Sequence, residues 1–316
     1  MALSSEHILT LQQLSGIGTK TIFKIAEQVT KPIHTIEELC TFWKTLKGKK
    51  VEAIGVDDII EANNSAKRII DASAQESIGL VGYYDDEFPN ILRHTINEEG
   101  KPDPPLLLWY RGDLSVASLP GLAVIGTREA TPEGISGGTF LSGEFAKRGF
   151  NIVSGLAIGC DTCGHKGALK VGGKTTAFLA NGLDHDSIYP EENQELAEEI
   201  VAKGGLLLSE YPIRQGVNRY ALVARDRLQA ALSLATLVIQ TGVKGGTMHA
   251  ANTTLKAGKL LYAMKFKDET TNQHEKCLGN AYLVEQGAKY IGGSDNLDTV
   301  SEQIKNWKPL QTTLFD

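Results

Sequence analysis

The chain of 316 residues has 41% hydrophobic and 22% charged side chains, the proportions of an ordinary soluble globular protein with room for one large α/β domain and a small accessory one. Its formal net charge of -6 argues against indiscriminate nucleic-acid binding, which shows as a basic excess, but leaves room for a local basic groove. No apolar run is long enough to cross a membrane, the first residues lack the basic start and apolar core of a signal peptide, and the four cysteines are irregularly spaced, so a reducing cytoplasmic setting is expected.

Residues 1–76 read as a small helical domain. Apolar side chains recur at helical spacing in Ile8, Leu11 and Leu14, and again in Ile22, Ile25, Ala26 and Val29. Between these runs, Gly16 and Gly18 flank Ile17, a pattern for two helices meeting in a tight turn with outward amides, as in a helix-hairpin-helix. A second helical stretch is predicted over 51–72. Residues 77–118 are less regular. Pro102, Pro104 and Pro105 favour extended chain, and 106–110 is expected as a buried edge strand leading into the main sheet.

From Leu119 strand and helix alternate. Strands are predicted over 122–125, 150–153, 175–179, 205–208, 236–239 and 259–262, and helices over 133–148, 161–171, 191–202, 225–234 and 248–256. A last pair covers 289–291 and 297–304. Short apolar runs, each followed by an amphipathic stretch, predict a Rossmann-like doubly wound α/β fold with a mostly parallel sheet over 77–308. Residues 309–316 form a tail.

In such sheets ligands bind beyond the carboxyl ends of the strands. Those ends are rich in glycine here: Gly126, Thr127 and Arg128 after the first strand, Ser154, Gly155 and Gly159 after the second, and Lys244, Gly245, Gly246 and Thr247 before a later helix. Glycines let backbone amides approach an anion, a helix N-terminus adds a favourable dipole, and Arg128 and Lys244 supply charge. Glycine is also common in the tight turns of any such fold; three loops sharing the feature, two of them cationic, favour one phosphate-binding site. The dinucleotide fingerprint and the P-loop pattern are both missing, which argues against hydride transfer and NTP hydrolysis.

Cys160 and Cys163 have metal-like spacing with His165 nearby, but no second ligand pair accompanies them and Cys277 is isolated, so no metal and no cofactor are expected. Arg214, Arg219, Arg225 and Arg227 suit backbone phosphates or, equally, a solvated helix face with local ion pairs. Asp161, His165 and Asp184 are polar candidates near the site, but no nucleophile–base arrangement emerges, so catalysis is not expected. At the end of the chain Gln311, Leu314 and Phe315 carry an apolar pair suited to a partner pocket or to folding back on the chain itself.

Several segments together resemble the DprA/Smf DNA-processing family: 85–93, 104–113, 126–134, 153–161, 165–169, 182–184, 188–193 and 209–212. The resemblance runs in register over roughly 80–265, and the turn at 14–18 is similar to the family's N-terminal helical domain. It implies a non-enzymatic core that binds and protects single-stranded DNA, helps load RecA in DNA uptake and recombination, and often acts as a dimer. By position it places Gly126, Arg128, Ser154, Gly155, Gly159, Asp161 and His165 in the binding loops, with Lys174 as a basic residue beside the pocket. Arg225, Asp226 and Arg227 match a segment that is usually Arg-Asn-Arg.

The pattern also departs from the family. Asp226 puts a negative charge where an amide is usual, and the Phe-Pro before that segment is missing. The loop at 245–249 drifts toward the Gly-Gly-x-Gly-Thr loop of related nucleotide hydrolases, whose catalytic glutamate has no clear counterpart here, and the family's optional winged helix is not seen. The alternative reading is a nucleotide sensor or hydrolase using the same pocket, in a task such as phage defence. Gln311, Leu314 and Phe315 resemble the peptide that docks on the bacterial sliding clamp.

Overall fold

In the computed structural model, which describes residues 3–293 and 295–308, the chain opens with helices α1 (Ser5–Gln13), α2 (Thr19–Ala26), α3 (Ile36–Trp43), α4 (Lys49–Glu52) and α5 (Val56–Gln75). The Ser4 hydroxyl caps α1 by accepting from the His7 amide, and Thr35 and Glu38 form a reciprocal capping box on α3. The expected turn between α1 and α2 is present, with Gly16 at φ +78°. The helix expected over 51–72 is divided in two, because the Asp58 carboxylate accepts from the Gly55 amide at 2.7 Å and starts α5 anew. Ile8, Leu11, Ile22, Leu39 and Ile59 are buried in one apolar cluster that continues into Leu107, Trp109 and Leu207 of the sheet.

The remainder runs β1 (Gly79–Gly82), β2 (Leu107–Gly112), β3 (Gly121–Ile125), α6 (Pro132–Lys147), β4 (Asn151–Ser154), α7 (Cys160–Lys170), β5 (Thr175–Leu179), α8 (Gln194–Ala202) and β6 (Leu206–Ser209). It continues through α9 (Arg219–Leu232), β7 (Ala235–Val238), α10 (Gly246–Lys256), β8 (Leu260–Met264), α11 (Glu269–Asn272), α12 (Leu278–Glu285), β9 (Lys289–Ile291) and α13 (Leu297–Lys305). One sheet has the order β1-β2-β6-β5-β4-β3-β7-β8-β9. Strands β6 to β9 along this order pair in parallel, and β2 joins β6 and β1 antiparallel. Strands β3, β4, β5, β6 and β7 are buried along their whole length, as expected of a parallel sheet covered on both faces.

The Rossmann-like α/β class predicted from the alternation is the observed one. The strand expected at the edge is not at the edge: β1 pairs outside β2. Only four residues long and bounded by glycines, β1 gives little pattern to read. Its Gly79 accommodates the ring of Tyr110, since a Cβ there would lie 2.3 Å from Tyr110 Cζ. Helix α9 begins at Arg219 rather than at 225, because the Asn218 side chain accepts from the amides of Tyr220 and Ala221 and caps it there.

Strand β3 lies between β4 and β7, so the winding of the chain reverses beside it. A crevice opens at the carboxyl ends of β3 and β7, the place where doubly wound sheets take ligands.

Candidate functional site

The crevice holds a cavity of about 490 Å³, and the loops after β3, β4 and β7 all reach it, joined by the first half of α9. Backbone bonds stitch the loops together. The Thr127 amide donates to the Gln240 carbonyl at 2.7 Å, and the Cys160 amide to the Thr127 carbonyl at 3.1 Å. Gly126 sits in this seam without room for a side chain: a Cβ would come within 2.5 Å of Cys160 Sγ and 2.7 Å of the Gln240 carbonyl oxygen.

The loop after β4 is mostly scaffold. Ser154 Oγ donates to the Val124 carbonyl, and the Asp161 carboxylate accepts from the amides of Gly155 and Ala157 at 3.0 and 3.3 Å. Gly159, at φ +82°, packs against the backbone of Thr127 and Arg128. Ser154, Gly155 and Gly159 therefore shape the crevice from beneath, while Asp161 reaches its wall. Burial raises the Asp161 carboxyl, with Arg225 opposing.

Arg225 is buried on the cavity floor. Its guanidinium donates to the carbonyls of Gly155 and Phe178, and Nε donates to Asp226 Oδ1 at 3.2 Å. A Cβ on Gly155 would stand 1.8 Å from Arg225 Nη1, so the glycine is the space that this arginine occupies. Asp226 also faces the cavity, and burial pushes its carboxyl up to about 6 against the opposing charge of Arg225.

The rim is cationic. Arg128, Arg219 and Lys244 are exposed around the mouth and have no carboxylate partner among the described residues, whereas Lys276 pairs with Glu129. Helix α10 starts at the mouth. Its N-cap Gly245, at φ +135°, offers no side chain to the first amides, so Gly246 and Thr247 present the positive end of the helix to the cavity.

Several residues expected at the site are elsewhere, among them His165, Lys174, Asp184 and Arg227. His165 is fully buried on the inner face of α7 with Nδ1 2.7 Å from Thr175 Oγ1, and burial holds its pKa down to about 3, so it stays neutral and packs on the sheet. Lys174 precedes β5 and so lies at the amino edge of the sheet, opposite the crevice, where Nζ donates to the carbonyls of Lys203 and Gly204 at the end of α8. Arg227, two positions beyond Arg225, leaves the helix on another side. Its charge is matched by Glu210 at 2.8 Å and Asp103 at 2.7 Å.

The thiols of Cys160 and Cys163 are buried. Burial raises both, Cys163 to about 12, and Cys163 Sγ donates to the Cys160 carbonyl. Neither is poised as a thiolate. Asp184 caps local turns, accepting from the Arg214 amide and from Ser187 Oγ. Gln311, Leu314 and Phe315 lie outside the described residues.

The sequence leaves Arg219 open between a phosphate contact and a solvated helix face, and it gives no sign of Lys276 at the site. The Asn218 cap is the signal that places Arg219 in a first helical turn. Lys276 comes from an irregular stretch with no spacing that ties it to the β3 loop.

A doubly wound sheet with a cationic, glycine-lined crevice at its switch point defines a Rossmann-like α/β protein. The family model for DNA recombination-mediator protein A matches residues 79–304, and the chain belongs to this family, also known as DprA/Smf. It is 31% identical over 300 residues to Protein Smf of Synechocystis, across 92% of this chain and 70% of that protein. It is 30% identical over 233 residues to the DNA processing protein DprA of Bacillus subtilis, across 73% of each. The X-ray structure of DprA from Streptococcus pneumoniae superposes with a TM-score of 0.72 at 25% identity, over 96% of this chain and 99% of that one. DprA from Helicobacter pylori, solved for its single-stranded DNA binding mode, gives 0.59 at 29% identity, over 73% and 97%.

Proposed function

We propose that this protein binds single-stranded DNA along the crevice and performs no chemistry on it. The observation that carries this reading is the rim: exposed Arg128, Arg219 and Lys244, without carboxylate partners among the described residues, surround the uncapped start of α10. Phosphates seated there meet three cations and oriented amides, while the buried Asp161 and the half-buried Asp226 carboxylates keep a strand at the mouth rather than on the floor. The binding mode studied in the Helicobacter pylori relative supports the choice of ligand. In the same reading the protein shields single strands and helps load RecA, acts as a homodimer, and docks on the sliding clamp through Gln311, Leu314 and Phe315.

Arg128→Ala tests the site. It should weaken oligonucleotide binding severalfold or more and reduce the salt slope of log K by about 0.7, the share of one phosphate contact on a single strand, with an unchanged melting temperature. Unaltered affinity in the folded variant would remove Arg128 and this rim from the account.

A second reading rests on the cavity itself. Its volume of about 490 Å³, with Asp161 and Asp226 on the floor able to accept from a base or a sugar hydroxyl, also suits a free nucleotide, bound by a sensor or hydrolase. Thermal-shift titration with nucleotides separates the two, since a ligand of the folded state raises the melting temperature. A rise with a mononucleotide favours the second reading; none at millimolar concentration removes it.

A further inference from the structure

The mouth of the cavity carries apolar surface that a phosphate has no use for. Tyr220 is 71% exposed, and Val243 and Val223 are 52% and 44% exposed. All three adjoin the rim: Val223 lines the cavity, Tyr220 follows the lining residue Arg219, and Val243 stands between Gly242 and Lys244, which line it as well.

Tyr220 is held in place. Its amide donates to the Asn218 cap at 3.0 Å, which fixes its backbone in the first turn of α9. The Arg219 guanidinium lies over the ring, 4.9 Å from its centroid, and donates to the hydroxyl at 3.0 Å. An exposed aromatic ring backed by a cation is a stacking surface for a base, and every base has a face to offer it. In a duplex the bases already stack on one another and are unavailable. A mononucleotide inside the cavity would leave the ring unused.

We propose that Tyr220 stacks on a base of the bound single strand and carries the strand out of the crevice across the first turn of α9. This rests on the single-strand reading above and specifies how that site takes an unpaired polymer.

The test is oligo-dT binding followed by fluorescence anisotropy across a salt series. Tyr220→Ala should lower affinity on the order of 5- to 100-fold, as the loss of one base–aromatic stack does, and leave the salt slope at its wild-type value because no phosphate contact is removed. Tyr220→Phe should recover most of the loss. Tyr290→Ala is the control: Tyr290 is 43% exposed on β9 with Lys265 beside its ring, the same kind of pair away from the cavity, and its loss should change nothing. Wild-type affinity in Tyr220→Ala, or a loss equalled by Tyr290→Ala, overturns the stacking role while the single-strand reading stands. A wild-type protein that binds no oligo-dT overturns both.

Discussion

Asp226 is the residue whose charge matters most to what the crevice can hold. Burial raises its carboxyl from 3.8 to about 6, with Arg225 opposing that shift and Asp161 and His249 also acting on it. Between those two values the folded protein keeps a proton that the unfolded chain has released, so this group makes stability fall as pH rises from about 4 to 6, with the full cost present above 6. Asp226→Asn removes the buried charge. The variant should be more stable than wild type at pH 7 to 8, by on the order of 1–3 kcal/mol, with the difference vanishing near pH 3.5; melting curves across that range check it. It should also bind oligo-dT more tightly than wild type above pH 6, because the anion on the floor is gone. Equal pH dependence in the two proteins would mean that Asp226 is not the titrating group.

The same scale shows where sequence reading works. Arg128 and Lys244 were legible because the end of a parallel strand fixes which way the next loop faces. His165, Lys174 and Arg227 were not, because a motif gives neither the face of a helix nor the edge of a sheet. Arg227 is matched by Asp103, a partner more than a hundred residues away in the chain.

Helix α9 is the element on which the site depends, since it carries Arg219, Tyr220, Arg225 and Asp226 to the crevice. Both of its ends are capped from outside the helix. Asn218 holds the start, and Lys259, before β8, donates to the carbonyls of Ala230, Ala231 and Ser233 at 2.8, 2.8 and 2.7 Å at the other end. Burial pulls the Lys259 ammonium down to about 7. Lys259→Met keeps the bulk of the stem but leaves three carbonyls without their donor. At pH 7 the relieved cost of burying the ammonium offsets that loss, whereas at pH 10, where little of that cost remains, the variant should be destabilised by about 2 kcal/mol, lowering the melting temperature by roughly 4–8 °C. A melting temperature equal to wild type at pH 10 would show that the cap contributes nothing. The first turns of α9 were illegible because they cover the mouth of the crevice instead of the core, so Tyr220 and Val223 stay exposed and break the apolar period.

At the scale of the molecule, a net charge of -6 coexists with a crevice rimmed by arginine and lysine. Binding is then a property of one local field and should be steeply screened by salt. The parallel body of the sheet was legible in the alternation of apolar runs and amphipathic stretches. Its antiparallel margin was not, because β1 spans only four residues and its place outside β2 is set by packing against Tyr110 and the N-terminal helices.

The measurement that bears most directly on this account is the anisotropy of a labelled oligo-dT strand titrated at low and moderate salt, with unlabelled duplex as competitor. The account predicts tight binding at low salt that weakens steeply as salt rises and that duplex of equal length competes for poorly. Failure to bind at low salt, or equal competition by duplex, would contradict it.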